Sequence, residues 1–154
     1  MARFCSLSSS SKGNCYYVSG TETSLLVDVG ISCKQVRLQL EKHNLELSQL
    51  DGILITHEHT DHIRGLNVLL KSVNLPVYSA PETLDYLASN GLVPGNAQLI
   101  PVKEEFIVNT LKIKPFKTPH DAVYSQGYRI EGGDDRIIGI ATDLGSVTPT
   151  VREH

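Results

Sequence analysis

The sequence has no apolar run near the ~18 residues that a membrane-spanning helix requires. It opens Met1-Ala2-Arg3-Phe4-Cys5-Ser6, without the basic, apolar and small-residue order of an export signal. It has little net charge: 14 basic against 17 acidic residues leave −3, with a pI near 6.0. That excludes nucleic-acid binding by bulk charge, though not a local basic groove. Cysteine is scarce, at Cys5, Cys15 and Cys33, and no two form a C-x-x-C pair. An odd count without an export signal excludes a disulfide framework. Cys5 and Cys15 lie in apolar, strand-like stretches and read as buried small hydrophobes. There is no internal repeat, no linker, and no biased tract beyond the serines at 8–11. These absences leave one cytoplasmic domain with no membrane role, since 154 residues is the size of a single domain.

The composition that remains is ordinary for a globular chain, 40% hydrophobic and 20% charged. Strands are expected at residues 2–7, 14–19 and 24–29, with a loop over 8–13 between the first two. Ser32 is a helix N-cap, and the helix runs to about His43 with an imperfect apolar stripe at Val36, Leu38 and Leu40. His43, at that helix end, reads as structural. Residues 52–56 are continuously apolar, as a strand buried on both faces should be. The spacing of Ile63, Leu66, Leu69 and Leu70 predicts a helix over 62–71. A strand at 76–79 follows, then a helix opened by Pro81 and stopped at Gly91. Residues 111–116 alternate as a strand, and 125–130 and 136–141 form a hairpin. The order β-β-β-α-β-α-β-α-β-β-β is α/β, with a helix-rich middle between strand-rich ends. Thr148-Pro149 starts a helix that the last residues are too few to sustain. The chain is therefore expected to be cut from a longer one.

Chemistry concentrates in His57-Glu58-His59-Thr60-Asp61-His62, directly after the apolar strand. In extended backbone, residues two apart project to one side, so His57 and His59 can grip one ion. Asp61 and His62, where the chain turns into a helix, can face a second. Two ions ~3.5–4 Å apart can share a hydroxide and drive hydrolysis. The helical H-E-x-x-H reading fails, because Asp61 stands where its second histidine belongs. His120 and Asp143 sit where later strands give way to loops, the same topological place as His57. Asp28 ends an apolar strand and reads as a brace for the metal loop or a turn. Asp121 could orient the ring of His120. The Ser8–Asn14 loop either offers hydroxyls and amides to a phosphate or is a plain hairpin loop. Lys112, Lys114 and Lys117 read as one solvated face, or as a guide for a phosphate backbone.

The ordered pattern H-x-H-x-D-H, then His120, then Asp143, resembles the metallo-β-lactamase superfamily. The stretches Phe4–Cys15, Thr118–Ala122 and Ala141–Gly145 are similar to its YycJ/VicX (WalJ) branch, and the resemblance covers the whole chain. It implies a four-layer αββα sandwich, of which residues 1–154 are the N-terminal portion of a single metallo-hydrolase domain with the second αβ half incomplete. It implies that His57, His59 and His120 hold a first divalent ion and Asp61 and His62 a second. Asp143 would bridge them, and Asp61 would also orient the nucleophile as the catalytic carboxylate. The ions would be zinc or manganese, with iron also suited to these ligands. The resemblance further implies a metal-dependent hydrolase with a bridging hydroxide, acting as a phosphodiesterase or 5′→3′ exonuclease on nucleic acid, DNA above RNA. An ester or thioester hydrolase of the glyoxalase-II type is the second reading. A non-catalytic regulatory partner of a cell-wall two-component system is the third. The family's last histidine ligand falls downstream of Asp143, and His154 does not match its context. The second ion is therefore expected to lack a ligand here, and the chain by itself to be inactive.

Overall fold

The computed structural model describes residues 3–119, 121–132 and 136–141. Strands β1 (Arg3–Ser10), β2 (Gly13–Ser19) and β3 (Ser24–Val27) open an antiparallel meander. The first departure from the sequence reading lies here. The expected loop over 8–13 is a two-residue turn, because β1 continues through Ser10, which pairs with Gly13. A register shift between Ser6 and Ser8 absorbs the irregularity, and Ser8 Oγ donates to the Gly13 carbonyl at 2.8 Å.

The chain then alternates strands and helices. α1 (Cys33–Glu41) is capped by Ser32, whose hydroxyl accepts the Gln35 amide at 3.2 Å. β4 (Gly52–Leu54), β5 (Val77–Ser79) and β6 (Leu99–Pro101) add in parallel to β3, giving a sheet ordered β1-β2-β3-β4-β5-β6. Between them lie α2 (Thr60–Ile63), α3 (Leu66–Ser72) and α4 (Pro81–Ser89), the last followed by Gly91 at φ +64°. The helix expected over 62–71 thus begins earlier and is broken at Arg64-Gly65. A second, antiparallel sheet, β10-β9-β8-β7, comprises β7 (Phe106–Val108), β8 (Leu111–Lys117), β9 (Gln126–Glu131) and β10 (Ile137–Ile140). Pairing in β8 is regular through Lys117, so Lys112 and Lys114 share one face and Lys117, at an odd position, lies on the other.

The two cores follow from strand periodicity. On β3 and β4, Leu26 and Ile53 face the helices, with Val36, Leu40, Leu66, Leu69 and Leu87. Leu25, Val27 and Leu54 face the second sheet, with Leu111, Ile113, Tyr128 and Ile130. That double burial is why these strands read as continuous apolar runs. Helices, sheet and sheet are therefore three successive layers. Among the described residues no helix is long and apolar enough to cross a membrane.

Of the two cysteines read as buried, Cys15 is and Cys5 is not. Cys15 is fully buried, and burial, reinforced by the charge of Asp28, pushes its thiol well above its ordinary range. Cys33 is also buried. Cys5 is only half-buried on the edge strand, with Sγ 3.2 Å from Nε2 of His43.

Tyr128 bolts the two sheets together at the foot of the His57 loop. It is fully buried, and its hydroxyl donates to the Ile55 carbonyl at 2.6 Å while accepting from Gln126 Nε2 at 2.9 Å. Burial is the main cause that raises its phenol above the ordinary value near 10. The folded protein therefore keeps the protons of Cys15 and Tyr128 at pH values where the unfolded chain has lost them. The unfolded state binds fewer protons there, so stability falls as pH rises above about 9 to 10. Tyr128→Phe is expected to cost about 1 kcal/mol at pH 7, from the lost hydrogen bond. It should also flatten the alkaline decline. Urea midpoints from neutral to strongly alkaline pH read both effects, and parallel curves for the two proteins would contradict this account.

Candidate metal centre

The strand end at β4 runs in extended backbone through Ile55, Thr56 and His57 before α2 begins at Thr60. His57 and His62 are fully buried, His59 is half-buried, and the Asp61 side chain is 26% exposed. The His57 and His59 rings lie 4.8 Å apart between centroids, edge to face. The His57 and His62 rings are 4.1 Å apart. Asp61 Oδ2 is 3.5 Å from His62 Nε2.

Asp28 organises this cluster from beneath. It is fully buried and sits at φ +62°, a left-handed conformation that aspartate tolerates better than most residues. That turn aims its carboxylate across to the next strand. Oδ1 accepts the Thr56 amide at 2.8 Å, and Oδ2 accepts the Thr56 hydroxyl at 2.8 Å. Oδ2 also lies 2.6 Å from His62 Nδ1. A carboxylate only accepts, so His62 carries its proton on Nδ1. The Thr56 hydroxyl has given its proton to Asp28, so it accepts from His57 Nδ1 at 2.9 Å. One carboxylate thereby places a proton on Nδ1 of both rings, so that each ring in its neutral form has its lone pair on Nε2. Neutral histidine held through its other nitrogen is the form that ligates metals.

The donor set fits a divalent ion. Two ligands ~2.1 Å from one tetrahedral ion stand ~3.4 Å apart, close to the 3.5 Å between Asp61 Oδ2 and His62 Nε2. Among the described residues no three His, Cys, Asp or Glu side chains already close into a complete coordination set. His120 and Asp143, two of the six expected ligands, lie outside the described residues.

The flanks of His120 are nonetheless pinned to the loop. The Gln126 amide donates to the Thr56 carbonyl at 3.1 Å, and the Val123 amide donates to Glu58 Oε1 at 2.8 Å. Thr118 and Ser125 close the intervening segment through hydroxyls 2.7 Å apart. Glu58, unremarked in the sequence, is thus a clamp between two segments.

Asn14 closes the Ser8–Asn14 loop that the sequence reads as either a phosphate contact or a plain turn, and the second omission is its hold on the ligand segment. Its amide lies 3.3 Å from Asp61 Oδ2, 3.3 Å from the Asp61 carbonyl and 3.4 Å from His62 Nε2. Arg64 is a third, with its guanidinium donating to the Lys12 carbonyl. Nothing local in the sequence ties residue 14 or 12 to residues 61–64. Of the lysines on β8, Lys112 pairs with Glu105 at 3.5 Å, and Lys117 stands 5.5 Å over the Tyr124 ring.

The layered sheets and the histidine loop at a strand end are those of a metallo-hydrolase. The chain belongs to the metallo-β-lactamase superfamily, a family of metal-dependent hydrolases, whose model matches residues 11–152. It is 32% identical to the exodeoxyribonuclease YycJ of Bacillus anthracis, over 97% of this chain and 57% of that protein. It is 33% identical to the exodeoxyribonuclease WalJ of Streptococcus pneumoniae, over 95% of this chain and 55% of that protein. The chain thus spans little more than half the length of these curated relatives. The Rm3 metallo-β-lactamase has the same fold, with a TM-score of 0.72 at 19% identity, over 88% of this chain and 56% of that structure.

Proposed function

We propose that residues 1–154 form the N-terminal portion of a single metallo-hydrolase domain with a dinuclear centre, in a phosphodiesterase or exonuclease acting on nucleic acid, with DNA as the favoured substrate. The observation that carries this reading is the Asp28 proton chain, which prepares two buried imidazoles as neutral ligands in one small space. A buried carboxylate has no reason to set two histidine tautomers at a strand end unless their Nε2 atoms have a task. The two exodeoxyribonuclease relatives support the substrate class.

In this reading His57, His59 and His120 hold one divalent ion, and Asp61 and His62 hold the other. Asp143 would serve both. When bound, zinc or manganese supplies Lewis acidity towards a phosphoryl oxygen and acidifies water. The chain's own part is positional. Asp28 and Thr56 hold the rings, Asn14 holds the Asp61 carboxylate, and Asp61 orients the attacking water. Glu58 keeps the segment after His120 against the loop.

The test is metal content and hydrolysis of end-labelled DNA by the full-length protein in zinc or manganese, measured together. His59→Ala is expected to lose bound metal and to cut DNA ~10²-fold more slowly or worse. Undiminished cleavage by that variant would sink the reading. Turnover of a thioester in place of DNA would transfer the same centre to the glyoxalase-II type of chemistry.

A further inference from the structure

The turn between β1 and β2 is built onto the ligand loop. Asn14, the second residue of β2, reaches Asp61 and His62. Arg64, one turn beyond Thr60 on α2, reaches back to the Lys12 carbonyl. Within the turn, the Lys12 amide donates to Ser10 Oγ at 3.2 Å. Every one of these holds on Lys12 is made by its backbone. Among the described residues its ammonium group has no part in keeping the turn in place, and both Lys12 and Arg64 are exposed beside the site. The Lys12 contact uses one of the five N–H donors of Arg64.

The surrounding charge is of the opposite sign. Asp28, Glu58 and Asp61 cluster at this edge, and the chain as a whole carries −3. A polyanion drawn to this loop requires local cations fixed relative to the ligands. Lys12 and Arg64 are two whose backbone or side chain is tied directly to the ligand segment. A lysine there acts as a mobile point charge, and an arginine as a planar fork, and phosphate accepts from both.

We propose that Lys12 and Arg64 form a phosphate-binding subsite that holds a backbone phosphate of single-stranded nucleic acid next to the His57–His62 loop. The subsite rests on the nuclease reading above and names how its substrate is gripped. The Ser8 and Ser10 hydroxyls of this turn are taken up by the Gly13 carbonyl, while the Lys12 side chain is exposed.

The experiment is fluorescence anisotropy of a labelled, phosphorothioate-linked oligothymidylate, which resists hydrolysis, titrated with the protein as purified across a salt series. Lys12→Ala leaves the carbonyl that Arg64 uses, so the turn keeps its anchor. It is expected to weaken binding about fivefold at low salt and to reduce the slope of log K against log salt by ~0.7, one phosphate contact on a single strand. Arg64→Lys keeps the charge and is expected to keep the slope while losing affinity. Lys71→Ala, on the exposed face of α3, is the control and should change neither. An unaltered slope in Lys12→Ala, or an equal loss in Lys71→Ala, overturns the subsite and leaves the nuclease reading standing. If the unsubstituted chain fails to bind the oligonucleotide at all, the nucleic-acid reading falls and the subsite with it.

Discussion

Gly30→Ala is expected to remove tight metal binding and about 3 kcal/mol or more of stability. A Cβ built at Gly30 would stand 1.8 Å from the Asp61 carbonyl oxygen and 2.5 Å from the Asn14 nitrogen. Both are backbone atoms, so no rotamer change relieves the contact. The neighbouring bonds also leave little slack. Val29 N donates to the His62 carbonyl, Gly30 N to the Asn14 carbonyl, and Gly65 N to the Val29 carbonyl, at 2.8, 2.8 and 2.9 Å. To admit the methyl group, the segment carrying Asp61 and His62 must move off the β1–β2 turn by more than 1 Å in rough terms. Overpacking of this kind costs ~1–3 kcal/mol where side chains can yield, and more where they cannot. For a chain this long, 3 kcal/mol lowers the melting temperature by about 6–12 °C. Gly95→Ala is the matched control, since a Cβ there meets nothing within 4 Å. Thermal unfolding beside zinc competition against a chromophoric chelator reads both effects. Zinc affinity equal to that of the unsubstituted chain would mean that this close approach does not position the ligands.

Asp28→Asn should loosen zinc by about 10–100-fold with a smaller cost in stability, ~1–3 kcal/mol. Asparagine has the same size and accepts the left-handed backbone at φ +62°, so backbone strain is not the cause. The difference is in protons. The carboxylate accepts from the Thr56 amide, the Thr56 hydroxyl and His62 Nδ1. An asparagine amide has one oxygen and one NH₂, so at least one of these donors would face another donor. The least costly escape is for His62 to move its proton to Nε2, which removes the lone pair that a metal needs. The comparable Asp→Asn change in a serine-protease triad acts through the same wrong tautomer. Nitrogen NMR of the histidine rings distinguishes the two tautomers directly. A His62 ring still protonated on Nδ1, with zinc affinity within about twofold of the parent, would refute the argument. Asp51→Asn is a suitable comparison, because that carboxylate accepts the Ser24 amide at 2.8 Å, far along the sheet.

The two substitutions mark the boundary of what local sequence conveys. The meeting of His57, His59, Asp61 and His62 was legible because one six-residue span contains all four. The strands at 24–27 and 52–54 were legible because burial on both faces leaves an unbroken apolar signature. Asp28 was legible as a brace, since an acid at the end of an apolar strand demands partners. Its two hydrogen-bond partners could not be named, because they lie 28 and 34 residues away. The β1–β2 turn was misread for a related reason. A run of serines has turn-like composition, yet Ser8–Ser10 gain strand pairing from β2 and hydroxyl contacts with Gly13. Lys117 was assigned to the wrong row because an odd position cannot share a strand face with 112 and 114. Tyr128 and Arg64 carried no signal at all. Their roles depend on carbonyls of Ile55 and Lys12, and a backbone carbonyl looks the same at every position.

The clamp between Glu58 and Val123 has a consequence in time. Its two ends are 65 residues apart in the chain. At ~5–20 residues per second, a ribosome makes them about 3–13 s apart. During that interval the histidine loop exists without the segment that β8 and β9 bring to it. Contacts of such long range also form late in folding, after loop closure has been met. A newly made chain therefore passes through a period in which its first ligands are present and their surroundings are not. On the proposed ligand assignment, a metal captured in that period would meet a looser and more hydrated group of side chains than the finished protein offers.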